Sequence, residues 1–378
     1  MVYIKSIFVL LGTIVGAGIF ALPFAAMKAG FWIFVFYLLI MIWIVFLIQS
    51  FYAEIVLAEK EKKRLPGYAE KYLGMKWKTF SFLVITVELF GAILAYLIIG
   101  GRFLSSFFSF YLKGFDGNYL LGLLFFFVAG SYLIFKGIKG ISWIEFFLFS
   151  FLILILLILF FKSFPFIDFS NFKSFDFRFL ALPYGAILFS LWGMAIIPEI
   201  KEMIASFGFN NLRKRLKTVI FSSTFSAALI YLFFVFIVLG VSGEKTSREA
   251  ISGLKEILGN EIVNLGFLFG FISCFTSFIT LGLTLKKTLW YDFGLPKNFS
   301  WFLTCFFPFG LVLLGINNFI NIISFTGAVA MGCEGIIIFW LYKTFLKKEI
   351  SKKINSFFYF LPFIFLLGII LELFYFLS

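Results

Sequence analysis

Apolar residues run along the chain in eleven long blocks, at about 7–29, 31–57, 79–101, 119–136, 142–161, 179–204, 218–241, 262–290, 299–316, 319–342 and 355–377. Each approaches the roughly 20 residues that carry a helix across a bilayer. A β-barrel would instead alternate apolar and polar positions over segments of about 10 residues. The pattern predicts an all-α membrane protein with eleven transmembrane helices. The polar stretches between blocks, such as 114–118 and 162–178, are too short to form a domain, so 1–378 reads as one membrane domain.

Two blocks are interrupted. The first holds "GTIVGAGIFALP" (12–23) and the sixth "LPYGAILFSLWGMAIIPEI" (182–200). Gly18 is followed five residues later by Pro23, and Gly193 five residues later by Pro198. Gly12 and Gly16 suit close helix packing. The matched interruption in two blocks, each opening a set of five, suits a transporter's binding site better. Blocks 1–5 (about 1–162) and 6–10 (about 179–342) then form two repeats, and the block at about 355–377 is an extra helix. Because each repeat has an odd number of spans, the second enters the membrane from the opposite side, giving a 5+5 inverted repeat. Helix breaks free backbone groups at membrane depth, which is tolerable only where protein or a water-filled cavity satisfies them. Free N–H groups at a half-helix N-terminus hold a carboxylate, and free carbonyls hold an ammonium or a cation. An amino acid offers both groups on one carbon.

Composition narrows the class. Mean hydropathy is +1.07 and 62% of residues are hydrophobic, too apolar for an ordinary soluble domain. The 63 phenylalanines are spread over all blocks and receive no function. There is no histidine, which excludes a His-ligated metal or a His proton relay. Cys274, Cys305 and Cys333 lie far apart in apolar blocks, without metal spacing, and read as small core residues. No nucleotide-binding motif is present, so an ion gradient remains the energy source. Net charge is +13, and its placement matters more than its size. Of the 32 basic residues, 23 fall in the turns of one side, including 60–78, 213–217 and 343–353. The positive-inside rule puts the N-terminus in the cytoplasm and the C-terminus outside, in a cell membrane. The basic excess is therefore topology, and no nucleic-acid partner is expected.

The run "GTIVGAGIFALPFA" resembles the first-helix signature of the amino acid/polyamine/organocation superfamily. Within it, the chain is most similar to the amino acid permeases of the auxin and aromatic amino acid type, whose bacterial members have eleven spans. "PYGAILFSLWGMAIIPE" (183–199) resembles that group's sixth helix, and "TSFITLGLTLKKTLWYDFGLPK" (276–297) its eighth. The resemblance covers nearly the whole chain and implies the inverted-repeat fold named for a bacterial leucine transporter, with helices 1 and 6 broken. It also implies secondary transport of amino acids. Carried over by position, the amides of Ala17 and Gly18, beside Gly16, hold the substrate carboxylate. The carbonyl of Ile14, with those of Phe189, Ser190 and Leu191 before Gly193, holds the ammonium. Phe189 falls where relatives place an aromatic gate, and Tyr96 where they point a hydroxyl into the site; an ordinary packed aromatic is the plainer reading of Tyr96. Some relatives carry a Glu where Ala195 stands here, so a neutral substrate is expected.

Two coupling ions are open. In sodium-coupled relatives an ion sits between helix 1 carbonyls and helix 8 hydroxyls, here Gly12 and Val15 with Thr276 and Ser277; Ser and Thr also bond freely back onto their own helix. For a proton, an intramembrane carboxylate is needed, and Glu88 in "ITVELFGAILAYL" is the first choice. Glu54, Glu145, Glu199 and Glu334 are weaker candidates. Bacterial members of the resembled group are mostly proton symporters, which favours the proton. No other cofactor is expected, and the partners are an amino acid and the lipid bilayer. The rival from another class is a non-transporting amino acid sensor of the same fold, which would be expected to carry a long soluble tail. An enzyme would need a His or a cluster of catalytic carboxylates.

Overall fold

The computed structural model describes residues 2–59, 63–111, 118–137, 141–173, 176–205 and 211–377. Side chains of 2, 141–148 and 377 lie outside that description, as do the basic residues at 60, 62, 113 and 139, the turn 114–117 and the side chain of Glu145.

Every apolar block is helical. In chain order we number them α1 (Val2–Ile14 with Ala17–Ala29), α2 (Phe31–Ala58), α3 (Met75–Tyr111), α4 (Tyr119–Lys136) and α5 (Ile141–Ser163). There follow α6 (Ala181–Leu191 with Ile197–Ala205), α7 (Leu212–Ser242), α8 (Asn260–Lys287), α9 (Lys297–Leu313), α10 (Phe319–Glu349) and α11 (Phe360–Leu377). Among the described residues nine helices are long and apolar enough to cross a membrane, ten with the bent pair of α1 counted as one span. The remaining expected span is α9. It has 17 residues and Pro308 inside it, so it is about 26 Å long, a little under the ~30 Å of hydrocarbon.

The broken helices sit at the centre. The first half of α1 ends at Ile14, the chain turns through Val15 and Gly16, and the second half leaves at 48°. The first half of α6 ends at Leu191, and Trp192 and Gly193 are non-helical before the chain resumes. Pro23 and Pro198 do not sit in these breaks. They lie downstream, at the start of Leu22–Ala29 and Ile197–Ala205, where the missing N–H has no partner to lose. Gly16 has φ −111° and Gly193 φ −134°, values open to any residue. What the glycines supply is space, since the two breaks press on each other. A Cβ on Gly18 would lie 2.9 Å from Ser190 Cα, and one on Gly193 would lie 2.9 Å from Ile14 Cγ1.

Around this pair, α3 and α8 pack along each other, with Gly270 seated on Phe103. Helix α10 opens into a π-helical turn at Thr326–Met331. There Gly327 lets α10 approach α6 so closely that a Cβ would stand 2.9 Å from Phe189 N. Such wide turns are rare and concentrate at functional sites.

Candidate functional site

Between the two breaks lies a cavity of about 20 Å³, lined among others by Ile14, Gly18, Glu88, Tyr96, Phe189 and Trp192. That is room for about one water, so this is a closed state, and an amino acid enters only if the breaks part. A larger groove of about 690 Å³ beside Phe31, Trp32, Leu157 and Phe233 is wholly apolar and offers nothing to a zwitterion.

The geometry at each break follows from its lost helical bonds. Ala17 and Gly18 head a new turn, so their N–H groups have no acceptor within it. The Ile14 carbonyl accepts Gly16 N–H at 2.9 Å. It is also 2.8 Å from the Tyr231 hydroxyl of α7, which lies 2.6 Å from the Ser190 carbonyl. One hydroxyl thus spans the two carbonyls that the resemblance assigns to the ammonium. Tyr231 was not singled out in the sequence; one tyrosine among 15 carries no local signal. Phe189 and Leu191 are buried in the same wall. Tyr96 reaches the site: its hydroxyl would be 2.7 Å from a Cβ on Gly16, with Ser277 Oγ beside it at 3.0 Å.

The proposed sodium ligands separate into two groups. Gly12, Val15 and Thr276 share a small cavity of about 20 Å³ with Ser273, whose hydroxyl donates to the Val15 carbonyl at 3.2 Å. Thr276 Oγ1 is bonded to the carbonyls of Ile272 and Ser273 on its own helix, both at 3.1 Å. Ser277 faces the substrate side instead, beside Tyr96 and Gly16.

The carboxylates separate likewise. Glu54 accepts from Arg213, Lys217 and Tyr342 at 2.7, 2.5 and 2.8 Å. Glu199 pairs with Arg64 at 2.7 Å. These are ties between helix ends. Glu88 and Glu334 are different: both are buried, and their carboxyl groups are within hydrogen-bonding reach of each other. Trp192 Nε1, in the α6 break, donates to Glu334 Oε2 at 2.5 Å.

Two breaks set face to face within their spans, with backbone groups turned inward and a wide-turn helix against them, define a leucine-transporter-like fold. Solved structures of similar fold include MhsT in complex with L-phenylalanine, with a TM-score of 0.65 at 18% identity, covering 99% of this chain and 97% of that one. Another is Mhp1, a nucleobase-cation-symport-1 family transporter in a closed conformation with bromovinylhydantoin bound, with a TM-score of 0.65 at 14% identity, covering 98% and 90%. No curated protein sequence matches it significantly. Residues 2–375 match the model of the tryptophan/tyrosine permease family, and the chain belongs to that family. It is a multi-pass membrane protein and a secondary amino acid transporter, not an enzyme.

Proposed function

We propose that the protein carries neutral aromatic amino acids across the cell membrane by alternating access, in symport with protons. The observation that carries this reading is the contact between the two breaks, Gly18 against Ser190 and Gly193 against Ile14, in a chain of the tryptophan/tyrosine permease family. Main-chain N–H groups of Ala17 and Gly18 take the carboxylate. Carbonyls of Ile14 and Ser190 take the ammonium once Tyr231 yields them. Phe189 and Tyr96 give the aromatic side chain apolar walls, and Ala195 supplies no carboxylate at the position where some relatives carry a Glu. MhsT, which shares the fold, holds L-phenylalanine in its structure. Residues of about 1–162 and 179–342 act as the two inverted repeats, with α11 outside them, the N-terminus cytoplasmic and the C-terminus outside.

The proton is favoured because two buried carboxyl groups, Glu88 at the substrate cavity and Glu334 on α10, form no ion pair with Lys or Arg among the described residues. A sodium reading retains one specific support, the meeting of Gly12, Val15, Ser273 and Thr276 around one small cavity. Uptake of labelled tryptophan, tyrosine, phenylalanine and leucine into proteoliposomes, under an imposed proton or sodium gradient, tests both. Accumulation of the aromatic three under a proton gradient alone, lost in Gly18→Val, supports the reading. Accumulation that needs sodium moves the coupling to α1 and α8. Binding without transport under either gradient supports a sensor.

A further inference from the structure

Glu88 of α3 and Glu334 of α10 are 5% and 3% exposed. Among the described residues neither forms an ion pair with Lys or Arg. The charged or titratable groups that face them are each other and, for Glu334, Tyr52 of α2. Two bare carboxylates so placed repel too strongly in a dry interior for both to stay charged. A carboxylate only accepts hydrogen bonds, so a bond between two carboxyl groups needs a proton on one of them. The surrounding donors are unequal. Glu334 Oε2 receives the indole N–H of Trp192. Glu88 Oε2 is buried and meets no donor. Glu334 is thus placed as the acceptor and Glu88 as the protonated partner.

We infer that Glu88 holds a resident proton, that Glu334 takes up the transported proton, and that Trp192 relays this event to the break of α6. The inference rests on the amino acid symport reading above. In the uptake step an O–H bond of hydronium breaks and an O–H bond forms on the Glu334 carboxylate. Water is released, and the pair passes from one negative charge to none. Hydrogen bonds to a charged acceptor are about twice as strong as neutral ones. Protonation of Glu334 therefore weakens its hold on Trp192. The α6 break, next to the carbonyls for the substrate, is then freer to move. On the other side of the membrane the proton returns to water and the indole tie re-forms. Proton and substrate act on the same broken segment, which is what obligatory coupling requires.

The test uses the full chain in proteoliposomes, with two readouts: accumulation of labelled tryptophan driven by a pH gradient, and tryptophan exchange with no gradient. Exchange reports a folded, substrate-competent protein. Glu334→Gln is expected to lose gradient-driven accumulation while keeping exchange. Glu88→Gln puts an amide N–H where the resident proton was, so it is expected to retain more gradient-driven accumulation than Glu334→Gln, whatever it costs in exchange at the cavity wall. Trp192→Phe keeps the ring but not the N–H. It is expected to move fewer protons per tryptophan exchanged or accumulated, with a flatter pH profile of tryptophan binding. Accumulation by Glu334→Gln equal to wild type overturns the inference. So does loss of coupling in Glu88→Gln with coupling intact in Glu334→Gln. A wild type that neither accumulates nor exchanges any amino acid overturns the symport reading itself, which is a separate result.

Discussion

The Tyr231 hydroxyl stands 2.8 Å from the Ile14 carbonyl and also touches the carbonyl of Ser190, at 2.6 Å. A hydroxyl carries one proton, so it donates to one of these carbonyls at a time. In the closed state it fills the place that the proposed binding mode gives to a substrate ammonium, whose three donors would satisfy both. Tyr231→Phe takes this donor from both buried carbonyls and leaves that of Ile14 only its bond from Gly16 N–H, at a cost of about 1–3 kcal/mol. The substrate-free variant is expected to melt lower than wild type in detergent. Tryptophan is expected to raise its melting temperature by more than it raises that of wild type, because the ligand restores the missing bonds. Equal shifts in both proteins would separate Tyr231 from the ammonium site.

Gly18→Ala tests the contact between the breaks. Its Cβ would lie 2.9 Å from the main-chain Cα of Ser190, which cannot rotate away. Gly193→Ala meets the Cγ1 of Ile14, part of a side chain that gives more easily, and Gly310→Ala in α9 meets nothing within 4 Å. The expected order of damage to tryptophan uptake is Gly18→Ala, then Gly193→Ala, with Gly310→Ala close to wild type. For the first, a loss of about tenfold or more is expected, because a small displacement of binding groups costs of that order. Initial rates on protein of matched size-exclusion profile check it.

Glu54 gathers Arg213, Lys217 and Tyr342 onto one carboxylate and so ties α2 to α7 and α10. Both cations are more than a third exposed, so water screens the pair and the global stability effect of Glu54→Gln is small. Its effect on opening is expected to be larger. A cysteine at Ala195 should react faster with a thiol reagent in Glu54→Gln than in the parent, on a background with Cys274, Cys305 and Cys333 replaced. An unchanged rate would make these ion pairs bystanders to opening.

Acid is expected to weaken the fold in part through Glu59, just beyond α2. Burial pushes its carboxyl up, but hydrogen bonds from Lys71 and Tyr72 outweigh this and hold it below the usual range. A depressed carboxylate stabilises the fold above its unfolded value of about 4.3, and the benefit is lost as pH falls through the lower folded value. Melting curves between about pH 3 and 6 are expected to show a shallower acid decline in Glu59→Gln than in wild type. Transport changes above about pH 5 then belong to other groups.

The eleven blocks were legible because bilayer thickness fixes helix length. The two breaks were legible because Gly and Pro are conspicuous in apolar runs. The exact turning points were not, since Pro23 and Pro198 mark where a half-helix restarts rather than where it stops. Thr276 and Ser277 looked like a pair of ligands. Neighbours on a helix point about 100° apart, and here Ser277 turns to Tyr96 while Ser273, about one turn earlier, joins Thr276. Tyr231, and the meeting of Glu88, Glu334 and Trp192, depend on helices brought together from 88 to 334, which no local pattern encodes.

The wide turn at Thr326–Met331 makes length, besides the glycine at 327, the guarded property of that stretch. It holds a surplus residue compared with a regular helix. Inserting one more residue, which a turn already carrying its surplus does not absorb, would rotate everything after it by about 100°. Glu334 would then point away from Glu88 and Trp192, with its own chemistry intact. Across descendants of this gene, Gly327 should be kept and single-codon gains at 326–331 purged, while the other positions of the turn vary more freely.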